Sequence, residues 1–116
     1  MARLLVVDDE KGIRDALRQL FEYEGHDVTV AEDGMEAIEL AADALPDVTF
    51  LDVKMPGMDG IDVLARLRER NPDALVIMIS GHGTIDTAVE ATREGAYDFL
   101  EKPLDTARML VTLRRA

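Results

Sequence analysis

Short apolar runs alternate along the whole chain with stretches in which apolar residues recur every three or four positions. Residues 4–7 read as a first strand, and Ile13, Ala16, Leu17, Leu20 and Phe21 then fall on one face of a helix. Gly25 stops that helix. A second strand at 28–31 precedes a helix carrying Ile38, Ala41, Ala42 and Leu45. The third strand, 48–51, leads to a helix marked by Ile61, Leu64 and Leu67 and closed by Asn71 and Pro72. The most apolar run, 75–79, is the fourth strand, followed by a helix with Ile85, Ala88, Val89 and Thr92 that ends at Gly95. Residues 97–100 form the fifth strand, and Leu104, Ala107, Leu110 and Val111 line the last helix.

Repeated strand–helix units predict a parallel sheet with helices on both faces, because a parallel crossover needs a connection about as long as a helix. Strands one, three and four are nearly unbroken apolar runs, as expected where both faces are covered. Strand two alternates through Val28, Thr29 and Val30, and strand five contains Asp98, so both read as edges. The order 2-1-3-4-5 places them there. That is the flavodoxin-like, doubly wound α/β order, whose ligand crevice lies at the carboxyl ends of strands one and three.

Composition narrows the picture. With 116 residues and 47% hydrophobic side chains, the chain has enough apolar surface for one domain with one core. No cysteine is present, which excludes disulfides and thiolate metal sites. The opening apolar run stops at Asp8 and Asp9, too soon for a signal peptide or a membrane span, so a cytoplasmic protein is expected. A formal net charge of −11, from 24 acidic and 13 basic side chains, opposes direct nucleic-acid binding by this segment.

The strand ends carry the candidate chemistry. Strand one runs into Asp8 and Asp9, strand three into Asp52, strand four into Ser80, and strand five towards Lys102 and Pro103. In a parallel sheet these ends share one edge. Singly each has a plainer role: Asp8 and Asp9 as helix caps, Ser80 satisfying a loop amide, Asp52 in a turn, Lys102 as a solvated charge. Together they make a site. Three carboxylates roughly 4–6 Å apart repel by several kcal/mol per pair at an effective dielectric of about 20, so the site raises carboxylate pKa values or recruits a cation. Oxygen donors alone favour a hard ion such as Mg²⁺, which commonly bridges carboxylates to phosphate. Asp8 and Asp9 are placed to hold the metal, Lys102 to supply a point charge, and Ser80 to supply a hydroxyl donor. Asp52, alone on the central strand, is the candidate nucleophile towards phosphorus, giving an aspartyl phosphate.

These residues resemble the response-regulator receivers of two-component signalling over essentially the whole chain. The resemblance is carried by "LLVVDDE", "LDVKMPGMDG", "VIMISGHG" and "GAYDFLEKP" in that order. It implies that Asp52 accepts a phosphoryl group from a histidine kinase. It implies that Asp9 and Asp52 bind Mg²⁺ with the backbone carbonyl of Lys54, while Asp8 assists through water. Ser80 would hydrogen-bond the phosphoryl group, Lys102 would pair with it, and the Lys102–Pro103 bond would be cis. Phe99 takes the place of the family's switch aromatic but lacks a tyrosine hydroxyl, and Tyr97 lies on the same strand face by alternation. Lys54 and His82 stand at positions that in relatives face the pocket and tune phosphoryl lifetime.

The wording "ISGHGTIDTAVEATREGAYDFLEKPL" is most similar to receivers of nitrogen-regulator (NtrC-like) transcription factors, which implies a switch rather than an ordinary enzyme. Such receivers shift the face of helix four, strand five and helix five, which can also form a homodimer. The last helix runs into Arg114 and Arg115 with no glycine or proline stop, so residues 1–116 are expected to be the N-terminal receiver of a longer regulator whose output domain is not part of this chain. Two other classes compete. A haloacid-dehalogenase-type phosphatase needs an aspartate two residues after the nucleophile, where Lys54 stands, and a nucleotide-binding module needs a glycine-rich loop where "VDDEKG" stands. A degenerate receiver acting as a phosphorylation-independent interaction module is a third alternative, opposed by the intact residue set.

Overall fold

A computed structural model describes residues 2–55, 57–81, 85–102 and 105–115. His82, Pro103 and Leu104 lie outside the described residues, as does the side chain of Ile85. The elements alternate as β1 (Arg3–Val7), α1 (Lys11–Tyr23), β2 (Asp27–Ala31), α2 (Gly34–Ala44), β3 (Val48–Asp52), α3 (Gly60–Arg70), β4 (Leu75–Ser80), α4 (Ile85–Arg93), β5 (Asp98–Glu101) and α5 (Thr106–Arg115). Neighbouring strands are all parallel, in the order β2-β1-β3-β4-β5 expected from the apolar pattern.

Strand alternation sorts the core into two layers. Leu4, Val6, Phe50, Ile77, Ile79 and Leu100 face α1 and α5, where they meet Leu17, Phe21, Met109 and Leu113. The Phe21 and Phe50 rings stack there with centroids 4.8 Å apart. Leu5, Val7, Leu51, Val76 and Met78 face the other way, against residues of α2, α3 and α4 such as Ile38, Leu64 and Ala91. Both faces of β1, β3 and β4 are therefore covered, which explains their unbroken apolar runs.

Three helix faces differ from expectation. The sheet side of α5 is Met109, Thr112 and Leu113, while Ala107 and Val111 are exposed and Leu110 is half-buried. The segment carries two apolar stripes about one position apart, and contact with the sheet selects the one containing the large Met109 and Leu113. Among the described side chains of α4 the buried residue is Ala91, whereas Val89 and Thr92 are exposed. In α2, Ala37 and Ile38 are buried, Ala42 is exposed, and Leu45 terminates the helix at a positive φ of 47° with its side chain outside. Gly25, by contrast, takes its positive φ as the ordinary glycine stop after α1.

Strand five begins at Asp98, one residue later than expected, although Tyr97 N–H still donates to the Val76 carbonyl (2.7 Å). The Tyr97 hydroxyl donates to the Arg115 carbonyl at the end of α5 (2.8 Å), while Phe99 packs on the layer of α2, α3 and α4.

Candidate functional site

Register brings the strand ends together. Val7 lies opposite Leu51, Asp52 opposite Ile79, and Ser80 opposite Glu101. The ladder extends one residue further at three places, with Asp8 N–H donating to the Ala31 carbonyl (3.1 Å), Val53 N–H to Ile79 (2.9 Å) and Lys102 N–H to Ser80 (2.8 Å). Alternation then separates the functional groups. Asp8, Asp52 and Lys102 follow Val6, Phe50 and Leu100 on the side of α1 and α5, while Ser80 follows Met78 on the side that also holds Phe99.

The charged groups converge on Lys102. Its Nζ lies 3.2 Å from Asp8 Oδ2, 3.6 Å from Asp52 Oδ2 and 3.6 Å from Glu10 Oε1. Asp8 and Asp52 are only 2% and 3% exposed, and Ser80 is equally buried. Asp9 is exposed, and its carboxylate, with those of Asp8 and Glu10, forms a group whose oxygens lie within 4.8 Å of one another. Lys54 is exposed, and its backbone N–H donates to the Asp52 carboxylate. The chain can turn away directly after Asp52 because Gly60 donates to the Val53 carbonyl (2.8 Å). A Cβ at Gly60 would overlap the Asp52 carbonyl and lie 2.7 Å from Val53 Cα. Asp59 caps α3 by accepting from Ile61 N–H.

Electrostatics follow from this crowding. Burial, reinforced by the charge of Asp8, pushes the Asp52 carboxyl up to about 6, against the opposing pull of Lys102 and the Lys54 amide. Burial also raises Asp8, although the Glu10 amide and Lys102 stabilise its carboxylate. Burial alone would depress Lys102, but Asp52, Asp8 and Glu10 outweigh it and hold the ammonium above its ordinary value. Asp8, Glu10 and Asp52 thus surround one ammonium with Asp9 beside them, leaving an excess of negative charge among hard oxygen donors. That donor set fits Mg²⁺.

Asp8, Asp52 and Lys102 meet as the strand pattern predicted, and Ser80 stands at the same edge, with its carbonyl accepting from Lys102 N–H. The capping role considered for Asp8 is met in part, since its Oδ1 accepts from Glu10 N–H (2.9 Å), but the N-cap of α1 is Glu10 itself. Two residues were missed. Glu10 extends the acidic pair of "DDE" into a triple and was readable as such, whereas Arg14, which reaches back to the Asp8 carbonyl (2.8 Å), gives no signal until α1 is oriented.

A doubly wound parallel sheet with this charge cluster at its carboxyl edge defines the flavodoxin-like class of switch and ligand-binding domains. Within that class, the chain belongs to the response regulator receiver domain family, whose sequence model matches residues 4–114. It is 40% identical over 114 residues to the C4-dicarboxylate transport transcriptional regulatory protein DctD of Pseudomonas aeruginosa, covering 98% of this chain and 25% of that protein. It is 39% identical over 111 residues to the DNA-binding transcriptional regulator NtrC of Escherichia coli, covering 96% of this chain and 24% of that one. A receiver domain protein of Methanospirillum hungatei, described as CheY-like, superposes with a TM-score of 0.96 at 26% identity, over 99% of this chain and 92% of its own. The chain therefore spans about a quarter of the length of these curated relatives. Among the described residues, no helix is long and apolar enough to cross a membrane.

Proposed function

We propose that this chain is a phosphorylation switch in which Asp52 accepts a phosphoryl group from a histidine kinase. The observation that carries the reading is the convergence of Lys102 on Asp52 and Asp8 within 3.6 Å, at the carboxyl edge of the sheet. An Asp52 oxygen forms the new P–O bond as the donor's P–N bond breaks, and the electron pair returns to the imidazole nitrogen. Asp8, Asp9, Asp52 and the Lys54 carbonyl would hold Mg²⁺, which supplies charge compensation for the phosphoryl oxygens. Lys102 exchanges a carboxylate partner for a phosphoryl oxygen, and Ser80 donates its hydroxyl to another.

The relay then runs through the opposite face of the sheet. Ser80 and Phe99 share that side, so drawing Ser80 towards the phosphoryl group opens space for Phe99 and shifts α4 and β5. A phosphoryl group moves this equilibrium only by its differential affinity for the two states. The output is a changed partner preference of the α4–β5–α5 face, including homodimerisation, in a cytoplasmic regulator of transcription. As in relatives about four times its length, the receiver would act on an output domain of a longer regulator.

Borohydride reduces an aspartyl phosphate to homoserine, which gives a direct test. After incubation with acetyl phosphate and Mg²⁺, reduction and peptide mapping should convert residue 52 to homoserine. Conversion at another aspartate would reassign the acceptor.

A further inference from the structure

Every polar group of Asp8 is engaged. Its N–H donates to the Ala31 carbonyl, its Oδ1 accepts from Glu10 N–H, its Oδ2 pairs with Lys102, and its carbonyl accepts from Arg14 Nη1 at 2.8 Å. Asp9 is the reverse case. Its carboxylate is exposed, and among the described residues no hydrogen bond or ion pair holds it. The direction in which Asp9 points is therefore left to its backbone.

That backbone is spanned by the Glu10 N–H to Asp8 Oδ1 bond on one side and held by Arg14 on the other. The carbonyl that Arg14 grips belongs to the peptide unit joining Asp8 to Asp9, and the unit is planar through Asp9 Cα. Holding that oxygen restrains the plane and places Asp9 Cα, the point from which the Asp9 side chain leaves. The Arg14 side chain is only 14% exposed, and its Nη2 lies 3.9 Å from Glu32 Oε2, so the guanidinium is anchored on the β2–α2 turn while it holds the β1–α1 turn. The Glu32 backbone is held in turn, because its N–H donates to Glu36 Oε1 (2.8 Å).

We infer that Arg14 is a positioning residue for the cation site: through the Asp8–Asp9 peptide it presets the Asp9 carboxylate in line with Asp8. This rests on the Mg²⁺ reading proposed above. Partners that orient metal ligands without touching the metal typically set affinity as strongly as some ligands do. The inference has a sign that distinguishes it from simple electrostatics. A cation near the site repels Mg²⁺, so if Arg14 acted only by charge, its removal would tighten binding.

The test is calorimetric titration of Mg²⁺ into the 116-residue chain at fixed ionic strength, with Asp9→Asn, Arg14→Met and Arg14→Lys beside the parent. Arg14→Met should weaken Mg²⁺ binding about tenfold, and Arg14→Lys, which keeps the charge and one donor, about threefold. Unchanged or tighter binding by folded Arg14→Met overturns the inference while leaving the metal reading intact. Should Arg14→Met not fold, Arg14→Lys decides: weakening supports the inference, and parental affinity overturns it. A parent chain that binds no Mg²⁺, with Asp9→Asn equally inert, overturns the metal reading and this inference together.

Discussion

Above pH 6 the ionised Asp52 carboxylate sits buried beside the charge of Asp8, and Lys102 compensates it only in part. The folded chain holds the Asp52 proton to about pH 6, whereas the unfolded chain releases it near 3.8. Stability from this group is therefore complete below pH 3.8 and lost as pH rises through 6. Without divalent cations, Asp52→Asn should raise the unfolding free energy on the order of 2–3 kcal/mol at pH 7.5 and hardly at all near pH 4. Urea denaturation at the two pH values checks this, and an equal effect at both would show that Asp52 is not strained by charge. Most of this cluster was legible in the sequence, because Asp8, Asp52, Ser80 and Lys102 each stand where an apolar run ends. Glu10 was readable as the third acid of "DDE", but Arg14 acts from the first turn of α1, and which way a helix turns its first residues is not written in an apolar period.

Element boundaries hold two further consequences. Leu45 ends α2 with a left-handed backbone and a side chain that is 60% exposed, so it carries the conformational cost without the burial. Leu45→Gly should stabilise the chain by about 0.5–1 kcal/mol in the same denaturation assay, because glycine adopts that conformation freely. Gly60→Ala should destabilise it by at least about 2 kcal/mol, since the added methyl collides with backbone rather than with a movable side chain. It should also displace the Asp52 carbonyl, visible as large amide shifts at residues 52–54. Strand order was readable because β1, β3 and β4 must be apolar on both faces. The faces of α4 and α5 were not, since small and apolar residues occupy more than one stripe and only packing on the sheet chooses between them. The Tyr97 hydroxyl bond to the end of α5 was not readable either, because strand alternation carries no information on where a side chain's tip finds its acceptor.

Across the whole molecule, the parallel sheet would divide acceptance from relay on the function proposed. Asp8, Asp52 and Lys102 are held on the α1–α5 side, and Ser80 and Phe99 on the side of α2, α3 and α4. On the proposed function, a phosphoryl group at Asp52 would act through the strand ends on a surface it does not touch. Phe99→Ala should leave phosphorylation of Asp52 intact yet reduce phosphorylation-linked amide shifts in α4 (Ile85–Arg93) several-fold, and full retention of those shifts would remove Phe99 from the relay. The architecture and family were legible from end to end, while the route of the relay depends on which side of each strand a residue faces. The central claim, that Asp52 is the acceptor, is tested most directly by intact mass after incubation with acetyl phosphate, with and without Mg²⁺, beside Asp52→Asn. The account predicts a gain of one phosphoryl group that requires both Mg²⁺ and Asp52; no gain by the folded parent chain, or an equal gain by Asp52→Asn, would contradict it.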